Sequence, residues 1–215
     1  GSWSRQRERA WSLITSSKVR DAFDLDKVDP QVRQRYTPTL FGQSALIARR
    51  LVEAGVRFIN VTWDCYWERL KLQLHCWDTH SQNFKLLKGY NLPYLDAVYD
   101  ALMQDLSDSG LLDETLVVVM SDFGRTPKIN ANAGRDHWTF CYSMLFSGAG
   151  IQGGTVYGAS DAQAAYPASN PVSTADICST IYQALGIDHE TLVYDKVGRP
   201  MSISHGGSPI REILA

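Results

Sequence analysis

The sequence predicts an α/β fold, with a mostly parallel sheet sandwiched by helices. Three observations predict it. Helical stripes alternate with short apolar, β-branched runs. Glycines stand at the helix-to-strand turns, at Gly55 and Gly110. The run Val117-Val118-Val119-Met120-Ser121 delivers an acid, Asp122, at its end. Helices alternating with buried strands are the pattern of that class, and its chemistry sits at the carboxyl ends of the strands.

Taken in order, residues 1–39 read as a polar helical and linker segment, and residues 40–215 as one α/β domain. Trp3 to Ser17 can form a helix, with Trp11, Leu13 and Ile14 as its large apolar anchors. Val28 to Pro38 reads as a connection. Leu40, Ala45, Leu46, Ala48, Leu51 and Val52 give a helical stripe, which Gly55 ends as a C′ glycine would. Val56 to Trp63 is β-branched and aromatic, hence a strand. Residues 64–76 read as an inserted lobe or an amphipathic turn. Leu92, Leu95, Val98, Leu102 and Leu106 recur at helical spacing up to Gly110. Strands follow at Thr115–Ser121 and Phe140–Phe146, the second closed by Gly148-Ala149-Gly150. Ser173 to Asp176 caps a last helix, with Ile177, Ile181, Ala184 and Leu185 inward and Gly186 at its end.

Bulk properties narrow the function. A chain of 215 residues has length for one domain and a substantial core. Its net charge of −2 gives no electrostatic case for nucleic acid or an anionic membrane. No stretch approaches the roughly 20 apolar residues of a membrane span. Gly1-Ser2 reads as the scar of a cleaved tag, so the chain reads as a piece of a longer protein and leaves the compartment open, export or the periplasm included. Of four cysteines, Cys141 and Cys178 read as buried thiols, while Cys65 and Cys76 flank an irregular segment and either pair locally or stay apart.

Several residues could carry chemistry. Asp122 follows an apolar strand and either lines a crevice or caps its own turn. Asp78 and His80, in Trp77-Asp78-Thr79-His80, lie two apart and share one side of an extended chain. A carboxylate and an imidazole suit zinc, manganese or iron; the alternative is a loop held by turn hydrogen bonds. Of the adjacent Asp136 and His137, His137 is preferred as a ligand, with Asp136 orienting it or structural. His205 is a weaker candidate for such a supporting place, and His75 and His189 read as surface histidines. Arg125 and Arg135 are the candidates for binding an anionic group. Trp63, Tyr66, Trp67 and Trp77 form either core or a carbohydrate or partner surface. There is no G-x-S-x-G or P-loop sequence.

These motifs, with Leu111 to Val117, Asp122 to Asn130, Gly134 to Trp138 and Gly198-Arg199-Pro200, resemble the bacterial family known as domain of unknown function 1501. The likeness runs from about Leu40 to the C-terminus. The family is in turn similar to the alkaline phosphatase-like superfamily, which includes sulfatases and cofactor-independent phosphoglycerate mutases. The resemblance implies an alkaline phosphatase-like fold, present here as its C-terminal part. It also implies hydrolysis or transfer of a phosphate or sulfate ester at a divalent metal (zinc, manganese, magnesium or calcium). The substrate would be a small anionic ester or a sulfated or phosphorylated glycan. By position Asp78 and His80 resemble the first metal motif, Asp122 the strand-end acid and His137 the late histidine. Two departures stand out. Gln82 occupies the place of the first motif's histidine, and Phe123 that of the histidine paired with the strand-end acid. They leave one metal, or none, in place of two. The nucleophile of that superfamily lies on an earlier strand that this chain is expected to lack. The alternative is a non-catalytic module on a degenerate hydrolase scaffold.

Overall fold

The structure is a computed structural model, and it describes residues 2–63 and 76–215. The chain divides into two compact units. The first holds residues 1–111 together with Asn132–Gly134; the second holds Leu112–Ala131 and Arg135–Ala215.

The first unit is helical. Its elements are α1 (Ser2–Thr15), α2 (Ser17–Ala22), α3 (Pro30–Arg35), α4 (Leu40–Glu53), α5 (Asn83–Leu86) and α6 (Leu92–Asp108). A π turn, Leu87–Asn91, joins α5 to α6. The local sequence explains the boundaries. Asp29 caps α3 by accepting from Gln31 N–H, and Pro30 fills the first position, where its missing N–H costs nothing. Thr39 caps α4 by accepting from Gly42 N–H. At its far end Gly55 adopts φ +89°, with Gly55 N–H bonded to Val52 C=O and Val56 N–H to Leu51 C=O. That is the Schellman arrangement expected of a C′ glycine.

The core of this unit gathers Tyr36, Ala45, Leu46, Val98 and Ala101, flanked by Leu25, Val28, Val32, Phe41 and Leu102. The stripes predicted on α4 and α6 therefore meet at Ala45, Leu46, Val98 and Leu102, while Leu40 and Leu92 are exposed. The segment predicted as a plain connection contributes α3 and the fully buried Tyr36. On α1, Trp11 and Ile14, expected as apolar anchors, are exposed.

The second unit carries the strands, and here the predicted fold class is corrected. The described residues form no parallel sheet between helical layers; they form four two-stranded antiparallel ladders. Strand β1 (Leu116–Val119) pairs with β4 (Leu145–Gly148), Leu116 opposite Gly148 and Val119 opposite Leu145. Between them, β2 (Gly124–Arg125) pairs with β3 (His137–Trp138). Further on, β5 (Ala159–Ser160) pairs with β6 (Pro167–Ser169), and β7 (Leu192–Tyr194) with β8 (Pro200–Ser202). The alkaline phosphatase-like fold is overturned by the same finding.

The physical reason is the connection. A parallel pair needs a crossover, usually helical, and no helix stands between Val119 and Leu145. The chain instead doubles back, with the β2–β3 ladder nested inside the β1–β4 hairpin. Val56–Trp63, predicted as a strand, joins no ladder. The strand predicted at Phe140–Phe146 is displaced to Leu145–Gly148. Helix α7 (Thr174–Ala184) lies between β6 and β7, with the expected capping box between Ser173 and Asp176.

The other expectations divide as follows. Cys76 is a buried free thiol and its proposed partner Cys65 lies outside the described residues. Cys141 and Cys178 are free but half-buried rather than buried. His75, Tyr66, Trp67 and all of the expected lobe at 64–76 except Cys76 also lie outside them. Trp63 and Trp77 pack edge to face at 5.3 Å.

Candidate metal site

The loop Cys76–Gln82 brings two predicted ligands together. It is not the extended chain expected for Asp-x-His. Two short backbone bonds curl it, Thr79 N–H to Trp77 C=O at 3.0 Å and His80 N–H to Asp78 C=O at 3.1 Å. The curl turns Asp78 and His80 toward each other, with His80 Nε2 3.1 Å from Asp78 Oδ1 and both side chains 46% exposed.

That separation matters for metal binding. Two donors each about 2.1 Å from one centre stand about 3.0 Å apart at a right angle and about 3.4 Å apart at the tetrahedral angle. The observed 3.1 Å falls between these values. An oxygen and a nitrogen donor at this spacing fit a divalent ion of the zinc or manganese kind.

The loop rests on buried polar groups. Thr79, between the two candidates, is 2% exposed and donates through Oγ1 to Asn83 Oδ1 at 2.5 Å. Asn91, the last residue of the π turn, is fully buried and donates from Nδ2 to the Cys76 carbonyl at 2.8 Å. Gln82, at φ +50°, starts α5. Its N–H bonds to Asn132 C=O at 3.1 Å, and that of Asn83 to Ala133 C=O at 2.9 Å. So Gln82, at the place of a metal-binding histidine in the resembled motif, has its backbone committed to a turn. The Asn132–Gly134 stretch lies against the loop so closely that a Cβ at Gly134 would collide with the His80 carbonyl.

The second unit holds the remaining candidates. Asp122 is exposed and its Oδ1 accepts from Phe123 N–H at 3.0 Å and from Ser121 Oγ at 3.2 Å. The turn-capping alternative thus occupies one of its oxygens. Gly124 has no room for a side chain, since a Cβ would strike the Cys141 carbonyl. This close approach sets β2 beside β3, where Arg125 lies opposite His137. The His137 imidazole lies on the Phe123 ring, centroids 4.1 Å apart at 34°. Phe123, the departure at a ligand position, therefore packs against a candidate ligand.

Asp136 bonds to Thr126 and Asn130 of the same loop. Its N–H donates to Thr126 Oγ1, its carbonyl accepts from Thr126 N–H, and its Oδ1 accepts from Asn130 Nδ2. Arg125 donates to the Arg135 carbonyl at 3.3 Å. His205 is exposed, in a left-handed turn at φ +56°. Asp78, His80 and His137 are exposed, and each offers one atom of the kind a metal ion takes.

Sequence reasoning missed Thr79, Asn83 and Asn91. Their only signal was three small polar residues set among apolar and aromatic neighbours, a weak one. The Gly/Asn-rich character of residues 130–134 was legible, but not its contact with His80.

No curated protein and no solved structure matches this chain. The profile of a family described as Protein of unknown function (DUF1501) matches residues 2–214, which includes the first forty residues where the likeness was faint. With nearly the whole chain matched, it belongs to the DUF1501 family.

Proposed function

We propose that the protein is a divalent-metal-dependent hydrolase of phosphate, sulfate or related anionic esters, with Asp78, His80 and His137 as metal ligands and Asp122 as a fourth candidate. The observation that carries the reading is the Asp78–His80 pair, whose donor atoms have the bite of two ligands on one ion. Gly134 abuts His80, and His137 follows it by three residues, a reach of at most about 11 Å.

In this reading the bound ion would polarise the ester and generate hydroxide from water near neutral pH. The protein's own groups do the rest. Asp78 and His80 would hold the ion. Phe123 packs against the His137 ring in a tilted contact. Arg125 and Arg135 supply cationic donors for the ester's anionic oxygens. Asp122 Oδ2 is left over from the turn bonds made by Oδ1.

Isothermal titration with Zn²⁺ and Mn²⁺ tests the site. His80→Ala and His137→Ala should each weaken binding by more than about 100-fold, beyond the cost of losing a supporting hydrogen bond. Hydrolysis of aryl phosphate and aryl sulfate esters, abolished by chelator, tests the activity. Unchanged affinity in both variants would overturn the site.

A second reading follows from Phe123, which puts a ring where the resembled site has a metal-binding histidine. A non-catalytic metal-binding module would keep the affinity and its loss in His80→Ala, yet show no chelator-sensitive turnover of either ester.

A further inference from the structure

The loop that presents Asp78 and His80 is exposed at those two side chains and tightly buried beneath them. Of the buried polar residues in the described chain, Thr79, Asn83 and Asn91 all serve this one segment. Asn91 holds its start at Cys76, Thr79 ties its middle to Asn83, and the Asn83 and Gln82 amides fix its end to Ala133 and Asn132.

Buried polar groups are costly unless paired, and a loop gains little stability from three of them. Asn91 Oδ1 has no hydrogen-bond partner among the described residues, while its Nδ2 holds the Cys76 carbonyl. Asn91 also ends a π turn, a local insertion that re-aims a helical side chain and recurs at functional sites. Buried polar bonds beneath two exposed side chains would preorganise their geometry.

We infer that Thr79, Asn83 and Asn91, together with the Gly134 contact, are positioning residues that set the Asp78 and His80 donor atoms at metal-binding separation. The inference rests on the proposed reading of that pair as ligands. Thr79 would fix the peptide between the two ligands, and the Gly134 backbone lies against the His80 carbonyl. Neither would touch the ion.

The test compares wild type with Thr79→Val, Thr79→Ser and Gly134→Ala. Circular dichroism and melting confirm that each variant folds. Two readouts follow: the His80 imidazole nitrogen signals by NMR at one fixed pH in metal-free protein, assigned with His80→Gln, and Zn²⁺ affinity by calorimetry. Thr79→Val and Gly134→Ala should shift the His80 signals and weaken Zn²⁺ about 10–100-fold, the usual effect of removing a ligand's support. Thr79→Ser, which keeps the hydroxyl, should restore both. A folded Thr79→Val with wild-type His80 signals overturns the inference. If wild type takes up no Zn²⁺, the metal reading fails alone, and the His80 signals still decide whether the clamp orients the pair.

Discussion

Tyr36 is the residue on which the helical unit turns. It is fully buried, and its hydroxyl donates to Asp105 Oδ2 at 2.9 Å. Asp105, itself buried on α6, also receives the Arg35 guanidinium. A carboxylate in an apolar stripe is tolerated because both partners satisfy it. Tyr36→Phe keeps the ring and removes one bond to a charged acceptor, so it should cost about 1.5–3 kcal/mol in urea melts. Burial, with the Asp105 charge second, pushes the phenol far above its ordinary value. The sign follows from linkage. A raised folded-state pKa gives stability that is full below the unfolded value near 10 and is lost as pH climbs above it. Wild type should therefore lose stability progressively above about pH 10, while Tyr36→Phe lacks this share of the alkaline loss. Phenolate absorbance should show one tyrosine titrating only with unfolding. None of this was visible beforehand. Tyr36 stands in a polar segment and Asp105 looks like a surface charge, and only tertiary contact reveals their match.

Helix ends are local, and they were legible. Ser173, Asp176 and Gly186 were readable as caps because the groups that satisfy a helix terminus lie within four residues of it. The structure adds a nonlocal use for the same carboxylate: Asp176 Oδ1 accepts from Ser208 N–H at 2.9 Å, tying the C-terminal segment to the start of α7. Ser173→Ala should cost about 1 kcal/mol by denaturant unfolding. Gly186, at φ +68°, should cost about 1–2 kcal/mol when replaced by alanine. The Ser173 hydroxyl first, then the Ser208 and Ser173 amides, hold the Asp176 carboxyl below its usual range. A lowered pKa gives stability that is present above the unfolded value of about 3.8 and lost as pH falls through the folded one. Asp176→Asn should flatten the acid limb of a stability–pH curve in that window; an unaltered limb would show the bonds to be idle. Strand pairing is nonlocal, and it was not legible. Val117–Met120 reads identically in a parallel or an antiparallel ladder, since a short apolar run carries no direction. The missing helix between Ser121 and Phe140 was the available clue, because it denies the chain a crossover.

At the scale of the whole molecule, residue types announced the site and only folding could place them. Aspartate and histidine two apart suggested metal chemistry. In the proposed reading the 3.1 Å separation of Asp78 and His80 would depend on Thr79, which sits between them, and on Asn91 and Gly134, which come from more distant parts of the chain. A bound ion should then stabilise the chain as a whole. Whatever binds the folded state alone stabilises it by RT ln(1 + [L]/Kd), about 2.7 kcal/mol at a hundred times Kd. For a chain of this size each kcal/mol raises the melting temperature by about 2–4 °C, so saturating Zn²⁺ or Mn²⁺ should raise it by about 5–11 °C. Scanning calorimetry with and without metal measures this, and excess chelator should reverse it. His80→Gln should melt near wild type without metal, because the half-exposed imidazole contributes little packing, and should gain almost nothing when metal is added. A wild type whose melting point ignores saturating metal has no folded-state site, and a His80→Gln variant that gains as much as wild type places the ion elsewhere. The slope of the melting point against metal concentration then gives the affinity without reference to any substrate, which keeps the metal question separate from the ester question.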